Sequence, residues 1–110
     1  MTTVEIHSGI CGFTTTVTAE AKPGYKAVFN MDTQCANWKR VNDALGNTEI
    51  NVMGELFKNK ATGTVDSQIL DLALKTIPHV SCPVISGLLK ALEVSAGLAL
   101  PKDATITFKE

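Results

Sequence analysis

Polar and apolar residues alternate in three early stretches of the chain, and further along the apolar positions recur at helical spacing. Residues 3–7, Thr-Val-Glu-Ile-His, alternate and predict a short strand that Ser8-Gly9 ends. Over residues 13–20, Phe13, Val17 and Ala19 share one face, with Thr14, Thr16, Thr18 and Glu20 on the other. The excess of β-branched residues there favours a strand with one face in water. Residues 25–32 repeat the pattern, setting Tyr25, Ala27, Phe29 and Met31 against Lys26, Asn30 and Asp32. Between these two stretches, Ala21-Lys22-Pro23-Gly24 is a turn signal, since proline presets φ and glycine accepts positive φ. An antiparallel hairpin is expected.

The spacing then changes. Trp38, Val41 and Leu45 fall on one face of a helix over residues 35–45, stopped by Gly46-Asn47. Residues 49–57 suit either a helix or a strand, and residues 58–64 read as a loop. Asp66 or Ser67 can cap a second helix through Ile69, Leu70, Ala73, Leu74 and Ile77, which Pro78 ends. A third covers residues 83–96, with Ile85, Leu88, Leu89, Leu92 and Ala96 as its buried stripe and Gly97 at its exit. Gly87 inside that stripe costs about 1 kcal/mol relative to alanine, which close packing on a sheet would explain. Residues 104–108 are expected to close the chain as an edge strand. The predicted fold class is α+β, a small, mainly antiparallel sheet with about three helices packed on one face.

Length and composition narrow the class of protein. At 110 residues, with no repeat or linker, the chain reads as a single domain over residues 1–110. Hydrophobic residues at 45% and charged residues at 19% give a globular composition. The net charge is −1, and no lysine or arginine run marks a phosphate-binding face, which argues against nucleic acid as a partner. Tyr25 and Trp38 therefore read as packing residues rather than base-stacking platforms. The N-terminus lacks the pattern of a signal peptide, and the apolar stretch over residues 84–100 is too polar to span a bilayer. A cytoplasmic protein with no membrane partner is expected. No Ser–His–acid set, phosphate loop or paired-carboxylate spacing is visible, which argues against an enzyme. The sequence specifies no oligomeric state.

The cysteines carry the chemistry. Three of them, Cys11, Cys35 and Cys82, cannot all pair within the chain, and a reducing cytosol disfavours disulfides. A four-residue loop over residues 21–24 would set Glu20 opposite Tyr25, Phe13 opposite Asp32, and Cys11 opposite Gln34, beside Cys35. Opposed residues have Cβ atoms about 5 Å apart, so both thiols are expected at the open end of the hairpin. Gly12 lets the Cys11 loop bend. Cys35 and Cys82 fall at predicted helix starts, where free backbone N–H groups favour a thiolate, and Pro83 suits a first helical position. His79, three residues before Cys82, would complete a Cys₃His set suited to Zn²⁺ or an iron–sulfur cluster. The plainer readings are cysteines that only fill space in the core, and His79 and His7 as solvated residues. Asp32 suits a turn cap or an acceptor near Cys35.

Three resemblances bear on these residues. Cys11-Gly12, Gln34-Cys35 and His79 with Cys82 resemble, in order and spacing, the IscU/NifU-type scaffolds for iron–sulfur cluster assembly. That resemblance implies cysteine ligation of a metal or cluster, an IscU/NifU-like element order, and a sulfur-donor or cluster-acceptor protein as partner. The chain departs from the pattern at Phe13, where an aspartate is usual, at Gln34, and at Val80-Ser81, which separate the histidine from the cysteine. The chain also resembles small uncharacterised proteins of anaerobic microbes. These share a Cys-Gly-Phe step and a Cys-Pro-Val segment leading to Gly-Leu-Ala-Leu-Pro. Cys82-Pro83-Val84-Ile85 is similar to the helix start of TusA-type sulfur carriers, which implies a persulfide or redox thiol on Cys82. Three readings follow: a metal- or cluster-binding module, a persulfide carrier or thiol redox protein, and an interaction domain with buried cysteines.

Overall fold

The three alternating stretches form antiparallel strands in the computed structural model, which describes residues 1–110. They are β1 (Thr2–His7), β2 (Thr14–Lys22) and β3 (Lys26–Asp32). Helix α1 (Ala36–Leu45) follows, then a two-residue strand β4 (Ile50–Asn51) running directly into α2 (Val52–Leu56). Helices α3 (Gln68–Thr76) and α4 (Val84–Ser95) complete the order. The fold is α+β, with an antiparallel sheet in the order β1-β2-β3-β4 and four helices. The stretch with two candidate conformations holds both, because the brief pairing of Lys26 and Ala27 with β4 ends where Asn51 caps α2. No helix is long and apolar enough to cross a membrane.

The hairpin register differs from the expected one. Asp32 faces Thr16 rather than Phe13, a slip of three residues, and Lys22 faces Lys26 across Pro23-Gly24-Tyr25. Directly opposed residues project to the same face of a sheet, so an odd slip would set apolar residues against polar ones. The observed register sets Val17 against Met31, Ala19 against Phe29 and Ala21 against Ala27. The first two pairs are wholly buried, while Thr14, Glu20, Asn30 and Asp32 on the other face are exposed. The turn reaches this register with three residues because Gly24 and Tyr25 both take positive φ. Burial of one face outweighs the four-residue turn read from sequence.

Helix α4 covers that buried face. Val84, Leu88, Ala91 and Leu92 are buried, with Ile85, Leu89 and Ala96 half-buried at the flank, so the stripe is rotated from the expected one. Small residues explain the rotation. A Cβ at Gly87 would run into Cγ1 and Cδ1 of Ile6, so the helix sits against β1 only because that side chain is missing. Burying a leucine fully contributes about 1.5–3 kcal/mol, so Leu88 and Leu92 are major anchors of this contact.

The start of α3 is held by a residue that sequence patterns did not single out. Glu55 of α2 is 3% exposed, and its carboxylate accepts the Gln68 and Ile69 N–H groups at 2.9 and 3.2 Å. It also accepts the hydroxyl of the cap residue Ser67, whose oxygen accepts the Leu70 N–H at 3.0 Å. All three N–H donors of the first helical turn thus have partners, and the favourable end of the helix dipole faces the carboxylate.

The two sheet edges are treated differently. Beyond β4, the β3 edge is closed by Asn42, whose Oδ1 accepts the Met31 N–H at 3.0 Å, and by the Asn47 N–H, which donates to the Phe29 carbonyl at 2.8 Å. The outer edge of β1 has no strand beside it. The expected strand over residues 104–108 does not form, since those residues have no regular structure and are exposed. An edge strand needs a partner, and within the chain this segment pairs with none.

Two stability measurements check these contacts. Gly87→Ala is expected to lower unfolding stability by about 1–2 kcal/mol despite alanine's better helix propensity. That cost should shrink by at least ~0.5 kcal/mol in the Ile6→Val background, which removes Cδ1. Glu55→Ala is expected to cost about 2–4 kcal/mol in urea unfolding, because it strands two N–H groups and a hydroxyl together, with Glu55→Gln recovering part of it.

Candidate functional site

Each cysteine is positioned by a different local device. Between β1 and β2, the Ser8 N–H donates to the Phe13 carbonyl at 3.1 Å and the Gly12 N–H to the Gly9 carbonyl at 2.9 Å. Gly9 and Gly12 take φ of +80° and +75°, which closes the loop tightly and turns its tip outward. Ile10 and Cys11 occupy that tip, both exposed.

Cys35 lies just past the end of β3, where it is the cap residue of α1 in extended conformation. Its thiol makes no cap hydrogen bond, and its carbonyl accepts the Lys39 N–H at 2.9 Å. The preceding strand end is pinned by a buried pair of hydroxyls, Thr15 and Thr33, 2.8 Å apart. Thr33 also accepts the Cys35 N–H at 3.2 Å. This small polar knot fixes where α1 begins.

Cys82 ends the connection between α3 and α4, followed by Pro83 as the cap residue of α4. Its carbonyl accepts the Ile85 N–H at 3.4 Å. Both Cys35 and Cys82 are half-buried and lean on the hydrophobic core. His79 is exposed, as are its neighbours Val80 and Ser81.

Cys11 and Cys35 fall toward one end of the sheet. Cys11 sits in the β1–β2 turn and Cys35 beyond the end of β3, where Thr15 and Thr33 join the two strands. Helix α4 begins over the same end, since Gly87 meets Ile6 near the close of β1. The expected route for joining Cys11 to Cys35, opposition across the hairpin, fails because β2 begins only at Thr14 and β3 ends at Asp32, so neither cysteine lies in the paired strands. No group of three or more His, Cys, Asp or Glu side chains is close enough to hold a metal ion, so Cys11, Cys35, Cys82 and His79 do not form a ligand set as placed. All three thiols are free.

The outer face of the sheet carries a further group of polar side chains. His7 contacts Glu5 at 2.9 Å through Nε2 and Thr14 at 3.1 Å through Nδ1, all three exposed. Beside them Gly12, Thr14, Thr16, Asp32, Thr33 and Gln34 line a shallow polar recess next to the Cys11 loop. Asp32 is exposed there, and the Cys35 N–H goes to Thr33 instead. The alternation of residues 3–7 and 13–20 already placed these side chains on one face; their mutual contacts needed the register.

Comparison with known proteins adds a family and no activity. The chain belongs to the family of unknown function DUF6951, which matches it over residues 2–108. No curated protein and no solved structure matches it.

The burial differences set an order of thiol reactivity. Under native conditions Cys11 is expected to alkylate first, with Cys35 and Cys82 slower by about tenfold or more, since access limits attack on a half-buried sulfur. Peptide mass mapping after timed iodoacetamide treatment reads that order, and equal rates at all three sites would contradict it.

Proposed function

We propose that this DUF6951 domain is a thiol-based sulfur carrier whose working end holds Cys11, Cys35 and Cys82, with Cys82 bearing the cargo. The observation that carries this reading is that Cys11 is exposed and Cys35 and Cys82 are only half-buried, while no three ligands converge. Such an arrangement suits chemistry that uses one sulfur at a time. Cys82 is the favoured bearer because it stands at the entry to a twelve-residue helix and rests on the core, which limits its conformations. In the transfer step, the Cys82 thiolate attacks the outer sulfur of a donor protein's persulfide. The donor's S–S bond breaks, its thiolate leaves, and a new S–S bond forms on Cys82, with no net oxidation. The partner is thus a sulfur-donor protein, and the setting a reducing cytoplasm, where three unpaired thiols persist.

A second reading rests on the loop around Cys11. Gly9 and Gly12 flank its tip, and closure of that tip onto Cys35 and Cys82 would assemble ligands for Zn²⁺ or an iron–sulfur cluster, with His79 as a fourth. This is the reading implied by the resemblance to IscU/NifU-type scaffolds, with a cluster-acceptor protein as partner. It requires movement, because the residues as placed do not fit a metal.

Anaerobic incubation with a cysteine desulfurase and its substrate, followed by intact-mass and peptide analysis, separates the two. The carrier reading expects the mass of one added sulfur atom on Cys82, retained when Cys11 and Cys35 are both serine. No added sulfur on Cys82 overturns it. Stoichiometric zinc or iron lost in each single cysteine variant supports the metal reading instead.

A further inference from the structure

The chain carries an unpaired strand edge and an unpaired strand-like segment, and each matches the other. We propose that residues 104–108 of one chain add to the free edge of β1 in a second copy, forming a reciprocal two-fold dimer. The inference is independent of the thiol chemistry above.

The acceptor is β1, which lies at the end of the sheet order with no strand on its outer side. Natural edge strands are commonly guarded by lysine, proline or a bulge. Thr2-Thr3-Val4-Glu5-Ile6-His7 has neither lysine nor proline, and it pairs with β2 without interruption. Its apolar face is also incompletely covered, since Val4 points toward the core yet remains half-exposed.

The donor is the segment after α4. Ala104, Ile106 and Phe108 alternate with Thr105, Thr107 and Lys109, which is the pattern of a half-buried strand. Here Ile106 is 85% and Phe108 86% exposed, so the apolar side of that pattern is unmet. Laid beside β1, Ile106 and Phe108 would join the face of Val4 and Ile6 and extend the apolar layer beneath α4. Thr105 and Thr107 would then lie with Thr3 and Glu5 on the polar face. Backbone hydrogen bonds along the edge give affinity, and the alternating side chains select the face.

A second copy is the occupant because it brings both parts. Each chain donates one segment and receives one, so a two-fold arrangement satisfies both edges and closes without forming a filament. Residues 100–110 are all solvent-exposed, so no buried contact holds the segment to its own domain.

Sedimentation equilibrium of the full chain over a wide concentration range tests this, with hydrogen exchange on the same samples. A concentration-dependent dimer is expected, with protection of residues 104–108 and of β1 rising as it forms. I106K combined with F108K should weaken dimerisation by more than tenfold, and removal of residues 102–110 should leave a folded monomer. A chain that stays monomeric at every concentration overturns the proposal. So does a dimer that survives loss of the tail, or tail protection already complete in the monomer, which would place the segment on its own β1.

Discussion

Burial of one face of the β2–β3 hairpin beneath α4 is the constraint on which the rest of the structure depends. Val17, Ala19, Phe29 and Met31 occupy that face, and the register that brings them together leaves their neighbours in water. Once it is set, Thr15 and Thr33 meet, α1 starts at Cys35, and Gly87 allows α4 to settle on Ile6. Polar groups trapped by this packing are all partnered, including the Glu55 carboxylate at the head of α3. The helices are thus referenced to the sheet through a few specific contacts as well as through apolar area.

Those contacts shape what the thiols can do. The same packing that anchors Cys35 and Cys82 against the core leaves Cys11 on an outward loop tip. Access therefore differs among the three cysteines. A carrier can work with such differences, because its chemistry passes through one sulfur, whereas a ligand cage needs the loop to fold inward. The edges follow a similar logic: the β3 edge is closed by Asn42 and Asn47, and the β1 edge is open.

Much of the fold was legible from residue spacing. The alternation at residues 13–20 and 25–32, the Trp38–Val41 face and the Ser67 cap each reflect local rules that the chain obeys. Register is where the local signal fails most, since Pro23-Gly24 suggests a four-residue turn but says nothing of which apolar residues must oppose one another. The parity of Val17 and Met31 contained that information. Glu55 was not legible, because a glutamate in an ambiguous stretch carries no sign of the helix, beginning thirteen residues later, that it caps. Residues 104–108 show the limit from the other side: a strand pattern states a preference, and pairing needs a neighbour. The candidate site was legible as three thiols in plausible positions; that no three ligands converge was not, since Cys11 sits on a loop outside the paired strands and Cys82 comes from a separate connection before α4.

Nuclear Overhauser contacts across the hairpin test the central constraint most directly. The account predicts contacts between the side chains of Val17 and Met31 and of Ala19 and Phe29, together with Gly87 Hα against the Ile6 methyl groups. Contacts joining Val17 to Val28, with Phe13 opposite Asp32, would contradict it, because the apolar face would then be split and α4 would have no continuous surface to cover.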